Sequence, residues 1–128
     1  MNILIDTQSI IWFSENNNQL SLTARSLMED TNNICFVSMA SFWEMSIKIN
    51  LGKLTINGLS LSEFIEEVSE NDFKTLDIRL NHILENERLP LFHRDPFDRL
   101  IIAQAIAENM PVISSDAAFD LYPITRIW

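Results

Sequence analysis

"HRDPFDRLIIAQA", from His93 to Ala105, sets two aspartates around a proline and then runs into an almost wholly apolar stretch. Proline is favoured at the first position of a helix, where its missing amide would be unpaired anyway. Asp95 then takes the cap position, where its carboxylate can accept free backbone N–H groups. Asp98 lies three residues on, where the acid of a capping box sits. The continuation "LIIAQAIA" is apolar enough to pack into the core. The stretch therefore predicts a buried helix over Pro96 to Asn109, with Asp98 held at its start and not free to wander into solvent. A helix N-terminus also favours negative charge, an acid or a phosphate.

Outward from this helix, short apolar runs alternate with helical patterns. "NILI" (Asn2 to Ile5) ends abruptly at Asp6 and predicts a buried strand, with "NICFVS" (Asn33 to Ser38) as a second. "TQSIIWFSEN" and "SLTARSLMED" predict helices, the latter capped by Ser21. "MASFWEMSIKINLG" predicts another, with Gly52 placed to end it. In "LSLSEFIEEVSEN", Leu61, Phe64, Ile65 and Val68 fall at helical spacing. "FKTLDI" predicts a short strand and "RLNHILENERL" a helix. "PVISS" (Pro111 to Ser115) predicts a strand ending at Asp116, and "ITRIW" a last one. Such alternation implies a parallel sheet covered on both faces. Ligands bind such sheets beyond the carboxyl ends of the strands, where Asp6 and Asp116 both stand.

The 128 residues suffice for one domain, 1–128, with a real core. Two glycines cannot build a Gly-rich phosphate loop, which argues against P-loop and dinucleotide-binding classes. A net charge of -9 argues against non-specific nucleic-acid binding through a basic surface, but not against acids gathered in one pocket. The single cysteine, Cys35, reads as a small buried hydrophobe, and a reducing compartment follows. No secretory signal opens the chain, and no apolar run approaches the ~20 residues of a membrane span. The expectation is a cytoplasmic protein with no membrane association.

Each acid has an ordinary explanation. Asp6 and Asp116 can cap the elements that follow them. Glu44, in "FWEMSIKI", can pair with Lys48 one turn on; its apolar neighbours instead suggest a buried carboxylate, which needs a partner such as a metal ion. Together they form a pattern: an acid after the first strand, one in a buried helix, one opening the core helix, one after a late strand. Carboxylates so gathered repel one another without cations, and hard ions such as Mg²⁺ or Mn²⁺ prefer oxygen ligands. No His and Cys cluster suits zinc. His82 and His93 read as surface or helix-end residues.

These stretches resemble the PIN domains, and in particular the VapC-like toxins of type II toxin–antitoxin systems. The matching segments are "LIDTQSIIW" (Leu4 to Trp12), "SMASFWEMSIKINLGKL" (Ser38 to Leu54), "HRDPFDRLIIAQA" and "VISSDAAFDLYPITRIW" (Val112 to Trp128), in family order. The resemblance implies a three-layer α/β/α sandwich with a central parallel sheet. It implies a metal-dependent endoribonuclease in which Asp6, Glu44, Asp98 and Asp116 hold Mg²⁺ or Mn²⁺ and activate water. Asp95 belongs to the "HRDPFD" variant of one branch and is a supporting residue. Thr7 and Ser115 would orient carboxylates, and Arg94 and Arg99 would either contact RNA phosphates or stand as solvated surface charges. An RNA substrate, a cognate antitoxin and a second copy of the chain are the partners implied. Gln8 replaces a histidine common in the first motif, and Ser114-Ser115 stand where threonine is common; neither change removes a carboxylate. Two rival readings remain at this level: a non-catalytic protein-binding module of the same fold, and another Mg²⁺-dependent phosphoryl-transfer enzyme such as a phosphatase. Against a phosphatase of the haloacid-dehalogenase kind, "LIDTQ" lacks a second aspartate two residues after the first.

Overall fold

The computed structural model describes residues 1–128. Five strands form one parallel sheet: β1 (Asn2–Ile5), β2 (Ile34–Ser38), β3 (Lys74–Leu76), β4 (Val112–Ile113) and β5 (Arg126–Ile127). Their spatial order is β3-β2-β1-β4-β5. The chain builds outward from β1 in one direction, then crosses back to lay β4 on its other side. The order reverses between β1 and β4, so the crest of the sheet opens at that point.

Side chains alternate across a strand with a period of two, and the core divides accordingly. Ile3 and Ile5 of β1, Cys35 and Val37 of β2 and Ile113 of β4 face one apolar cluster; Leu4 and Val112 face another. The first face is covered by α1 (Thr7–Ser14), α2 (Leu22–Glu29), α3 (Met39–Asn50) and α4 (Leu61–Glu70), through Ile10, Met28, Met45 and Phe64. The second is covered by α6 (Pro96–Glu108), with α5 (Leu80–Glu87) packed on it. The result is the three-layer α/β/α sandwich that the alternation and the resemblance imply.

The core helix is as its sequence predicts. Pro96 opens α6, and Asp95 accepts the amides of Phe97 at 2.8 Å and Asp98 at 3.3 Å. Ile101 to Ala105 are all buried, Gln104 among them. Asn109 ends the helix in the left-handed conformation, φ 54°. Ser60 and Glu63 form a capping box at the start of α4.

Two expectations change. The late strand is two residues long, not five, because the Ser114 hydroxyl accepts the Asp116 amide at 3.0 Å and turns the chain. Asp116 therefore caps a 3-10 turn, Ala117–Leu121, accepting the Ala118 amide at 2.9 Å. His82 is a helix-end residue, third in α5, but not a surface one: it is fully buried between α5 and α6. Its Nδ1 accepts the Arg79 amide at 3.0 Å, and Nε2 bonds to Glu108 at 2.8 Å. Gln104 joins this network, accepting from the Ser38 hydroxyl and donating to the Asp77 carbonyl. Buried polar groups need such partners.

Candidate active site

The acids meet where the strand order reverses. Asp6 leaves β1 with its amide bonded to the Ile113 carbonyl of β4 at 3.1 Å, so it stands on the crest between the two strands. Its carboxylate caps α1 by accepting the Ser9 amide at 2.9 Å. Capping and site membership are thus one arrangement, since the cap fixes the carboxylate at the crest. Burial raises its pKa above the ordinary aspartate value, against hydrogen bonds from Ser114 and Ser9.

Glu44 reaches the same place from α3. It is 5% exposed, as its apolar neighbours predict, and it also makes the pair with Lys48. Oε2 accepts from Lys48 Nζ at 2.7 Å, while Oε1 is buried with no hydrogen-bond partner. An unpartnered oxygen on a buried carboxylate costs free energy, and this one lies on a residue lining a cavity of about 230 Å³. Asp6, Asp95, Asp98, Asp116, Lys48, Thr7 and Ser115 line it too. Glu44 in turn raises the Lys48 pKa, chiefly through their hydrogen bond.

Asp98 makes no return bond to its cap. Its carboxyl turns to the cavity, where burial first, and then the nearby charges of Asp95, Asp6 and Glu44, push its pKa up to about 7. His93 is its closest counter-group: Nε2 lies 3.2 Å from Asp98 Oδ2 and 2.8 Å from Asp116 Oδ2. His93 Nε2 and the carboxylates of Asp98 and Asp116 thus lie within 4.8 Å of one another. Of the two expectations for His93, the surface one is overturned, while its place two residues before the Asp95 cap keeps it at a helix end.

The supporting residues divide. Thr7 donates its hydroxyl to Ser41 at 2.8 Å, tying α1 to α3 and so Asp6 to Glu44. Ser115 lines the cavity but is exposed; the hydroxyl that shapes the turn belongs to the buried Ser114. Arg94 is exposed, as a phosphate contact requires. Arg99 is otherwise employed: its guanidinium donates to the carbonyls of Leu89, Pro90 and His93 at 2.9–3.3 Å. Those carbonyls lie in a loop without ladder partners, so Arg99 organises the loop before α6 and does not face phosphate.

The donor set fits a hard divalent cation. It is made of carboxylate oxygens, one of them buried and unpartnered, and the Asp98 carboxyl is pushed up to about 7 by burial first and by neighbouring carboxylates second, a cost that a cation would offset. A larger cavity, of about 300 Å³ at the amino ends of β2 and β3, is lined by no such buried unpartnered group.

An open parallel α/β sandwich with a carboxylate-lined crevice at its switch point defines the class. Within it the PIN domain model matches residues 3–124, nearly the whole chain, and the chain belongs to the PIN domain family. No curated protein matches it significantly. Among solved structures it is similar to VapBC2 from Rickettsia felis bound to a promoter DNA fragment, with TM-score 0.73 and 14% identity over 99% of this chain and 98% of that one. It is also similar to VapBC-1 from nontypeable Haemophilus influenzae, with TM-score 0.68 and 16% identity over 99% and 97%. VapBC-5 from Mycobacterium tuberculosis, a member of a toxin–antitoxin family, aligns with TM-score 0.65 and 17% identity over 98% of both chains. At these identities the likeness concerns the fold. No helix is long and apolar enough to cross a membrane.

Proposed function

We propose that this chain is a Mg²⁺- or Mn²⁺-dependent endoribonuclease acting in the cytoplasm as the toxin of a type II toxin–antitoxin pair. The observation that carries the reading is the convergence of Asp6, Glu44, Asp98 and Asp116 on one cavity, with Glu44 Oε1 buried and unpartnered. Those four residues would hold the ion. The chemistry such an ion supplies is activation of water and neutralisation of charge on phosphodiester oxygens. Around it, Asp6 and Asp116 are fixed by the amides they cap, and Glu44 by Lys48. Lys48, half-exposed at the cavity wall, and the exposed Arg94 are the cations available to RNA phosphates. This local positive charge reconciles a net charge of -9 with a polyanionic substrate.

Two protein partners go with this reading. An antitoxin would insert a basic side chain among the carboxylates, replacing the cation's charge. A second copy of the chain would cover Met39, Trp43, Ile47 and Leu51, exposed apolar residues spaced four apart along α3 and its C-cap. Ile47→Glu should then turn a dimer into a monomer by light scattering; a parent chain that is already monomeric contradicts the dimer.

The test of function is expression of the chain alone, followed by sequencing of RNA 5′ ends. New ends, growth arrest and their loss in Asp98→Asn are expected. A harmless chain, or activity on small phosphate esters with none on RNA, overturns the proposal.

A further inference from the structure

Every polar atom of His93 is committed. Its amide donates to the Tyr122 hydroxyl at 2.8 Å, and its carbonyl accepts from Arg99 at 3.3 Å. Its ring stands edge-on to buried Phe119, centroids 5.8 Å apart at 75°. Nδ1 accepts the Asp95 amide at 3.1 Å. Nε2 lies 2.8 Å from Asp116 Oδ2 and 3.2 Å from Asp98 Oδ2.

The Asp95 amide can only donate, so Nδ1 presents its lone pair and the ring proton sits on Nε2. That proton points at two carboxylates. For Nε2 to bind a cation it would have to present a lone pair, and the proton would move to Nδ1. There it would meet the Asp95 N–H donor head to head. We infer that His93 is a positioning residue of the cation site, whose Nε2–H donates to Asp98 and Asp116 and aims them, and that it is not a ligand. The inference rests on the reading of the cavity as a divalent-cation site. Groups that orient metal ligands in this way typically change metal affinity by about 10–100-fold when removed.

Two substitutions separate the two nitrogens. His93→Gln keeps an N–H donor at the reach of Nε2. His93→Asn keeps an oxygen acceptor near Nδ1 for the Asp95 amide and loses the donor to the carboxylates. Mn²⁺ affinity by calorimetry should fall at least about tenfold in His93→Asn and recover to within roughly threefold of the parent in His93→Gln. A merely structural role in the loop would give the opposite order, rescue by Asn and not by Gln. Electron spin-echo spectroscopy of the parent's Mn²⁺ should show no directly coordinated imidazole nitrogen; with only one other histidine, the buried His82, such a coupling would make His93 a ligand and overturn the inference. Nitrogen-15 NMR of the metal-free chain supplies the arm independent of metal. A proton on Nε2 and none on Nδ1 supports the inference, and a proton on Nδ1 overturns it. Failure of the parent to bind Mn²⁺ would sink the proposed function instead, and the NMR result would still decide which nitrogen faces the carboxylates.

Discussion

Asp98 concentrates the electrostatic cost of the site. Its carboxyl is raised from 3.8 to about 7, first by burial and then by Asp95, Asp6 and Glu44. A group whose folded-state pKa lies above its unfolded value binds protons more tightly in the native chain. Its contribution to stability is therefore complete below about pH 4 and is lost as pH rises through about 7. Without added cation, the melting temperature should fall across that window. Asp98→Asn should flatten the fall and melt higher than the parent at pH 8, while losing RNA cleavage. A parent and variant with superimposable pH profiles would mean that Asp98 is not crowded as described. Glu44→Gln tests the neighbouring group. The amide preserves the shape but removes the charge that pairs with Lys48 and faces the cavity. Mn²⁺ affinity should drop at least about tenfold, read by calorimetry on a chain whose circular dichroism is unchanged. Full affinity in Glu44→Gln would remove it from the ligand set.

Among the elements, α6 was the most legible because its start carries its own chemistry. Pro96 at the first position and Asp95 at the cap specify a boundary without reference to the rest of the chain. Asp95→Ala should cost roughly 1 kcal/mol of stability, as loss of a cap usually does, whereas Asp95→Asn should keep most of it. Equal losses in denaturant titrations would contradict the cap. The strand ends were legible too: Asp6 after "ILI" marks the crest of β1 by the change from apolar to charged alone. What escaped was made by tertiary turns. His93 reaches Asp116 because Arg99 and Tyr122 gather the loop before α6, and no periodicity in "PLFHRD" signals that. The Ser114 and Ser115 hydroxyls are indistinguishable in sequence; the turn buries one and exposes the other. The burial of His82 has no mark in the sequence because it sits in a polar helical run, and only the packing of α5 on α6 buries it. Glu44 illustrates a false choice, for one oxygen makes the helical pair while the other faces the cavity side without a partner.

At the scale of the molecule, the strand order β3-β2-β1-β4-β5 brings acids 110 positions apart, Asp6 and Asp116, to one crest, and α3 and α6 deliver Glu44 and Asp98 to the same opening. The fold thus holds several carboxylates closer than they would choose. A cation that binds only the native chain stabilises it by about 2.7 kcal/mol at a hundredfold excess over Kd. For a chain of this size that is a rise on the order of ten degrees. The most direct test of this convergence is the melting temperature with and without saturating Mn²⁺, measured on the parent, Asp6→Asn, Asp116→Asn and a control with Glu66 and Glu67 neutralised. The site described here predicts a large rise in the parent and the control and a much smaller one in both crest variants. A melting curve indifferent to Mn²⁺, or a rise undiminished in Asp6→Asn and Asp116→Asn, would contradict it.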